Sequence, residues 1–208
     1  MTPSYWPEAK QHLSLSCPVM ASLIDAYPGE ALSGRGDAFY TLLRSIVGQQ
    51  ISVKAADTVW ARLESKVKPL SPEKVLRARE TTLRGVGLSS QKALYCKNLS
   101  RFFIGKIEEG SAEAYWKALS DEEVVKQLTS VKGIGVWTAE MFLIFHLQRP
   151  DVYPLLDIGV VKAVEKHCSA GQKLTKAELL AFGERWRPYR SVATWYLWRS
   201  LDPVPVAY

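Results

Sequence analysis

Cysteine is scarce in this chain and scattered where it occurs. Cys17, Cys96 and Cys168 form no Cys-x-x-Cys pair and no even set, which excludes a disulfide framework and a thiolate zinc site and suits free thiols in a reducing compartment. Histidine is equally thin, and His12, His146 and His167 lack metal-ligand spacing. No apolar run is long enough to span a bilayer, and the N-terminus lacks the charged, apolar and small-residue succession of a secretion signal. A soluble protein is expected, cytoplasmic or nucleoid-associated, with no membrane partner; with no heptad seam in the sequence, a monomer is the default. Strand-like alternation is also missing: nearly every periodic segment has period 3.6, so the fold is expected to be mainly α. What the chain does have is positive charge, a net +6 with a pI near 9.2, which suits a polyanionic partner. With 47% hydrophobic residues over 208, it can bury the core of one or two compact lobes.

The informative stretch spans residues 128–157, LTSVKGIGVWTAEMFLIFHLQRPDVYPLLD. Ser120-Asp121-Glu122-Glu123 reads as a capping box that opens a helix over 121–129. Lys132-Gly133-Ile134-Gly135 breaks it, and a second helix follows over 136–147, with Trp137, Met141, Ile144 and Phe145 on one face. Gly133 and Gly135 permit positive φ and close backbone approach, so N–H groups at the start of the second helix can meet an anion. An isolated Gly-x-Gly more often only joins two helices. Here Ile134 can anchor the turn in the core, Lys132 adds charge and the whole chain is basic, which favours contact with a nucleic-acid backbone. Asp157 precedes an amphipathic helix and is placed as its N-cap, next to the positive helix end; taken alone, it is read as a cap.

Elsewhere residues 1–35 read as a mixed entry segment interrupted at Tyr5-Trp6-Pro7 and Cys17-Pro18, with a short helix expected over 18–27, and a helical stripe runs over 37–63, interrupted by Gly48-Gln49-Gln50. That interruption reads equally as a helix break with two solvated glutamines or as a close approach to a ligand. Ser71-Pro72-Glu73 starts another helix. Gly85-Val86-Gly87-Leu88-Ser89-Ser90 is a second, weaker Gly-x-Gly turn, ahead of a helix through Phe103. A turn-rich link is expected over 105–110, a short helix over 112–119, a capping box at Thr175 and Glu178, and a last helix after Arg187-Pro188.

Gly133-Ile134-Gly135 with Thr138-Ala139, Asp157 some two dozen residues on, Arg44 to Ser52 (RSIVGQQIS), and Trp186 to Ser191 (WRPYRS) with Tyr196-Leu197-Trp198 together resemble the helix-hairpin-helix DNA glycosylases, specifically the 3-methyladenine-DNA glycosylase II branch. Three blocks in the right order carry the resemblance. It implies a glycosylase unit of two helical lobes over 1–208, with the active site in the cleft between them and no additional N-terminal domain. It implies a monofunctional hydrolase that flips alkylated purines of the 3-methyladenine type out of damaged duplex DNA in base excision repair and leaves an abasic site. Asp157 would be the catalytic carboxylate. Trp137, Trp186, Tyr189, Gln49 and Gln50 would line the base pocket, aromatic faces suiting a cationic purine. Lys132, Gly133, Ile134, Gly135 and Thr138 would hold the DNA backbone, and Leu88, Ser89 and Ser90 would form the wedge loop that fills the gap left by the flipped nucleotide. Trp137 stands where lyase relatives carry a lysine nucleophile, so no strand cleavage is expected. No cofactor is required on this reading. The resemblance further implies Na+ or K+ at the backbone carbonyls of Thr129, Val131 and Ile134, and the cysteine count excludes the iron–sulfur cluster of some relatives. The competing readings are a helix-hairpin-helix DNA-binding module without chemistry, and a glycosylase for uracil, hypoxanthine or an oxidised purine.

Overall fold

The computed structural model describes residues 2–34, 36–107 and 112–201. Helices account for all the regular structure among them: α1 (Trp6–Ser16), α2 (Pro18–Ala26), α3 (Ala38–Gly48), α4 (Val53–Lys66), α5 (Pro72–Arg77), α6 (Glu80–Gly85), α7 (Ser90–Ile107), α8 (Ala112–Ala118), α9 (Asp121–Thr129), α10 (Val136–Phe145), α11 (Ile158–Cys168), α12 (Lys176–Glu184) and α13 (Arg190–Arg199). None of them is long and apolar enough to cross a membrane. The chain divides into two compact units, one built from the residues up to Gly34 and those from Leu143 onward, the other from the residues between. The boundary falls within α10.

Short polar side chains set several of the helix starts. Asp37, Ser52, Ser71, Ser120 and Thr175 each accept a backbone N–H from the first turn of the following helix, and Ser120 and Thr175 complete reciprocal capping boxes with Glu123 and Glu178. The glutamine interruption proves to be a break: α3 ends at Gly48, Gln50 takes a positive φ of 58°, and α4 restarts three residues later. Two expectations are corrected. The entry segment forms α1, because Pro7 sits in the first turn, where its missing N–H is no loss. The link expected over 105–110 lies partly outside the described residues, and its described part continues α7 through Gly105 to Ile107.

In the first unit α13 is buried along its whole length from Ser191 to Trp198, the signature of a helix surrounded by others. Helices α1, α2 and α11 pack on it, and Trp6 meets Trp195 edge-on with ring centroids 5.5 Å apart. In the second unit α7 is central. Ala93, Cys96, Leu99, Ser100 and Phe103 form its buried stripe, with α3, α5 and α6 packed against it. Trp116 of α8 lies against Phe102 of α7 and Phe142 of α10, tying the hairpin helix into the same core.

Candidate functional site

The segment between α10 and α11 has no regular structure, so its position depends on side-chain ties. Ser191, at the start of α13, donates its hydroxyl to the Arg149 carbonyl at 2.6 Å and accepts the Val152 N–H at 2.9 Å. Arg190 donates to both carboxylate oxygens of Asp151, at 2.7 and 3.0 Å, and to the Asp151 carbonyl at 2.9 Å. A planar guanidinium engaged in this fork-like manner fixes orientation as well as distance. The segment ends at Asp157, whose Oδ1 accepts the Val160 N–H at 2.8 Å, capping α11. The indole Nε1 of Trp198 donates to the same oxygen at 3.0 Å. Phe145 stacks on Trp198 at 5.8 Å with ring planes 16° apart, holding the indole in place. Asp157 is only 7% exposed, yet its neighbours Leu156 and Ile158 are 67% and 70% exposed. A buried carboxylate thus lies between two apolar side chains that face outward. Gly159 completes the arrangement, since a Cβ there would lie 2.9 Å from Asp157 Oδ1 and 3.4 Å from the Trp198 ring.

In the second unit, α9, the turn and α10 form the helix-hairpin-helix. Val131 and Ile134 are buried anchors and Lys132 is exposed. Gly133 has φ +111°, and a Cβ on it would overlap the Tyr95 ring of α7; Gly135 has nothing within 4 Å of the corresponding position. Thr138 is buried in the first turn of α10. A polar concavity of about 370 Å³ opens beside the turn, lined by Gly133, Ile134 and Gly135 together with Gln49, Gln50, Ser89, Gln91, Lys92 and Tyr95. The turn before α7 repeats the hairpin's pattern: Gly87 also has φ +111°, a buried Leu88 follows, and the Ser89 carbonyl accepts the Ala93 N–H as that of Gly135 accepts Ala139. Burial lowers the pKa of Lys92, whose Nζ donates to the Val47 carbonyl at 2.8 Å.

Several residues named from the sequence are placed differently by the fold. Leu88 is buried to 4% exposure and anchors its turn, so it does not stand out as a wedge; Ser89 and Ser90 are exposed there, and Ser89 Oγ caps α7 by accepting the Lys92 N–H. Trp186 is fully buried in the first unit, edge-on to Tyr153 at 5.5 Å, and is a core residue rather than a stacking face for a base. Tyr189 is half-buried, with its ring against Tyr5 and His12. Gln49 gives its amide N–H to the Gly133 carbonyl at 3.0 Å, while Gln50 is exposed at the rim of the concavity. Trp137 is half-buried at the second position of α10. Of the three carbonyls named for a cation, that of Val131 accepts the Ile134 N–H at 3.0 Å, and among the described residues no cluster of His, Cys, Asp or Glu is placed to hold a metal. Sequence reasoning missed Trp198 as the partner of Asp157, although it quoted Tyr196-Leu197-Trp198 as a block. In a helix buried on every side, no periodicity marks out which tryptophan touches the carboxylate.

Residues 43–188 match the model of the HhH-GPD superfamily of base excision DNA repair proteins. DNA-3-methyladenine glycosylase 1 of Schizosaccharomyces pombe is 30% identical over 87% of this chain and 80% of its own length. A solved structure of the S. pombe 3-methyladenine DNA glycosylase in complex with abasic DNA is similar with a TM-score of 0.82 at 28% identity, covering 97% of this chain and 100% of that one. The DNA-3-methyladenine glycosidase of Bacillus halodurans is similar with a TM-score of 0.81 at 30% identity, over 93% of this chain and 88% of its own.

Proposed function

Because the chain belongs to the HhH-GPD superfamily of base excision DNA repair proteins, in its 3-methyladenine glycosylase branch, we propose that it hydrolyses the N-glycosidic bond of alkylated purines in duplex DNA and leaves an abasic site. The observation that carries this reading is Asp157, a buried carboxylate fixed by two donors between two outward-facing apolar side chains. A glycosylase has to rotate its nucleotide out of the stack and then stabilise positive charge on the sugar as the base departs. A negative charge already held in position stabilises that charge without reorganising during the reaction. The C1′–N bond breaks with its electron pair moving onto the base, so a cationic alkylpurine leaves neutral. Water then bonds to C1′ and gives up a proton, for which Asp157 is the acceptor.

Trp137 offers no amine to attack C1′, which supports hydrolysis without strand cleavage. The exposed Lys132 and the backbone of Gly133 to Gly135 contact the phosphates of duplex DNA. Neutral carbonyls of Thr129, Val131 and Ile134 are hard oxygen donors that suit Na+ or K+ rather than a transition metal. The protein acts as a monomer wherever the DNA is, in the cytoplasm or at the nucleoid.

The test is base release from methylated duplex DNA by wild type and Asp157→Asn, with and without a later alkaline step that breaks abasic sites. Wild type should release methylpurines and give breaks only after alkali, while the variant should lose release by 100-fold or so and still bind duplex. Tight binding with no release by wild type would favour the binding module or another lesion, and breaks without alkali would reveal a lyase.

A further inference from the structure

We propose that Gln49 is a positioning residue for DNA binding: its amide fixes the peptide planes of the hairpin turn, and Lys92 holds the segment from which Gln49 reaches. This rests on the reading of the hairpin as the DNA-backbone contact. Gln49 Nε2 donates to the Gly133 carbonyl from 84 residues away in sequence. The N–H of the same peptide unit, that of Ile134, donates to the Val131 carbonyl at 3.0 Å. Carbonyl and N–H point in opposite directions from a trans peptide plane, so a unit tied at both ends cannot rotate. The preceding unit is tied as well: Asn98 of α7 donates to the Lys132 carbonyl at 3.4 Å, which turns the Gly133 N–H away from α7. The Tyr95 ring fills the space under Gly133. A glycine turn, free by its nature to take many conformations, is thereby held in one before any phosphate arrives.

Gln49 itself needs support. It lies just past the end of α3, next to Gln50 in the left-handed region. Lys92 supplies the support by donating to the Val47 carbonyl in the last turn of α3, where carbonyls lack helical partners and a cation is favoured. Its ammonium is therefore committed to the protein, unlike that of a lysine that meets phosphate directly. The two roles differ in their salt dependence: a lysine that neutralises a phosphate contributes about one unit to the slope of log affinity against log salt, whereas a positioning residue contributes none.

The experiment measures binding of a duplex carrying a tetrahydrofuran abasic analogue, over a salt series, for wild type, Gln49→Ala, Lys92→Met and the double variant, with single-turnover base release at saturating protein. Gln49→Ala and Lys92→Met should each raise Kd roughly tenfold, leave the salt slope unchanged and keep the saturated rate within about twofold. The double variant should bind little worse than either single one, because the two residues act in series. Should Gln49→Ala fold poorly, Gln49→Met retains much of the volume and removes the donor without adding charge, with the same expected loss. The proposal is overturned by wild-type affinity in the Gln49 variants, by a salt slope reduced by about one in Lys92→Met, or by a lowered saturated rate at unchanged Kd, which would place Gln49 at the base. A wild type that fails to bind duplex at all would instead remove the hairpin reading on which the proposal stands.

Discussion

Asp157 Oδ1 accepts two hydrogen bonds, from the Val160 backbone and the Trp198 indole, and Gly159 leaves the space in which this happens. The glycine has no positive φ to justify it, so its value lies in the missing Cβ. An alanine there would press within 2.9 Å of the carboxylate oxygen, a distance that forces either the carboxylate or the indole to give way. Misplacement by an ångström at a reacting centre can cost on the order of 100-fold in rate. Gly159→Ala is therefore expected to lower saturated base release by about 10- to 100-fold and stability by about 1 kcal/mol through the disturbed cap, while duplex affinity stays near wild type. Loss of affinity at an unchanged rate would mean that Gly159 serves the DNA contact instead. The cap at Asp157 was legible in the sequence because Asp followed by an amphipathic helix is a local pattern. Trp198 was not, since its bond to Asp157 spans 41 residues.

The hairpin is an element whose two glycines have separate reasons to be glycine. Gly133 combines φ +111° with a Cβ position already filled by the Tyr95 ring, whereas Gly135 has open space around it. Gly133→Ala should lower stability by about 1–3 kcal/mol or more through backbone strain and the clash. Gly135→Ala should leave the unfolding midpoint unchanged and weaken binding to abasic duplex, because only a phosphate drawn up to the helix start would meet the added methyl group. Equal losses of stability in the two variants would refute this division. Element starts were the most legible part of the fold: Ser71, Ser120, Asp157 and Thr175 cap helices as their local sequences predict. Ends and continuations were less so. α7 runs through Gly105 because the packing of Phe102 and Phe103 on Trp116 outweighs one glycine's cost.

At the scale of the whole molecule, two thiols withdrawn from water and an ion pair set opposite limits on stability. Burial pushes the Cys96 thiol from 9.0 up to about 12 and Cys168 up to about 11. Between pH 9 and these values the unfolded chain releases protons that the folded chain retains, so stability is intact below pH 9 and declines as pH rises. At the acid end, hydrogen bonding to Arg199 holds the Glu30 carboxyl below its ordinary range; that contribution is present above the usual carboxylate pKa and lost as pH falls through the folded value. Urea unfolding at pH 8, 9.5 and 10.5 should show falling stability in wild type and a flatter dependence in Cys96→Ala, by up to about 1.4 kcal/mol per pH unit; parallel slopes would exclude Cys96 as the source. The sequence by itself determined the helical class, the basic character, the hairpin turn and the Asp157 cap, because each rests on periodicity, composition or residues within one helical turn of each other. The tertiary structure decided which aromatic rings are core and which touch the site, that Leu88 and Trp186 are buried, and that Gln49 reaches Gly133. Those outcomes depend on which distant segments share a surface, and burial on all sides of α13 or across 84 residues of chain leaves no local pattern to read.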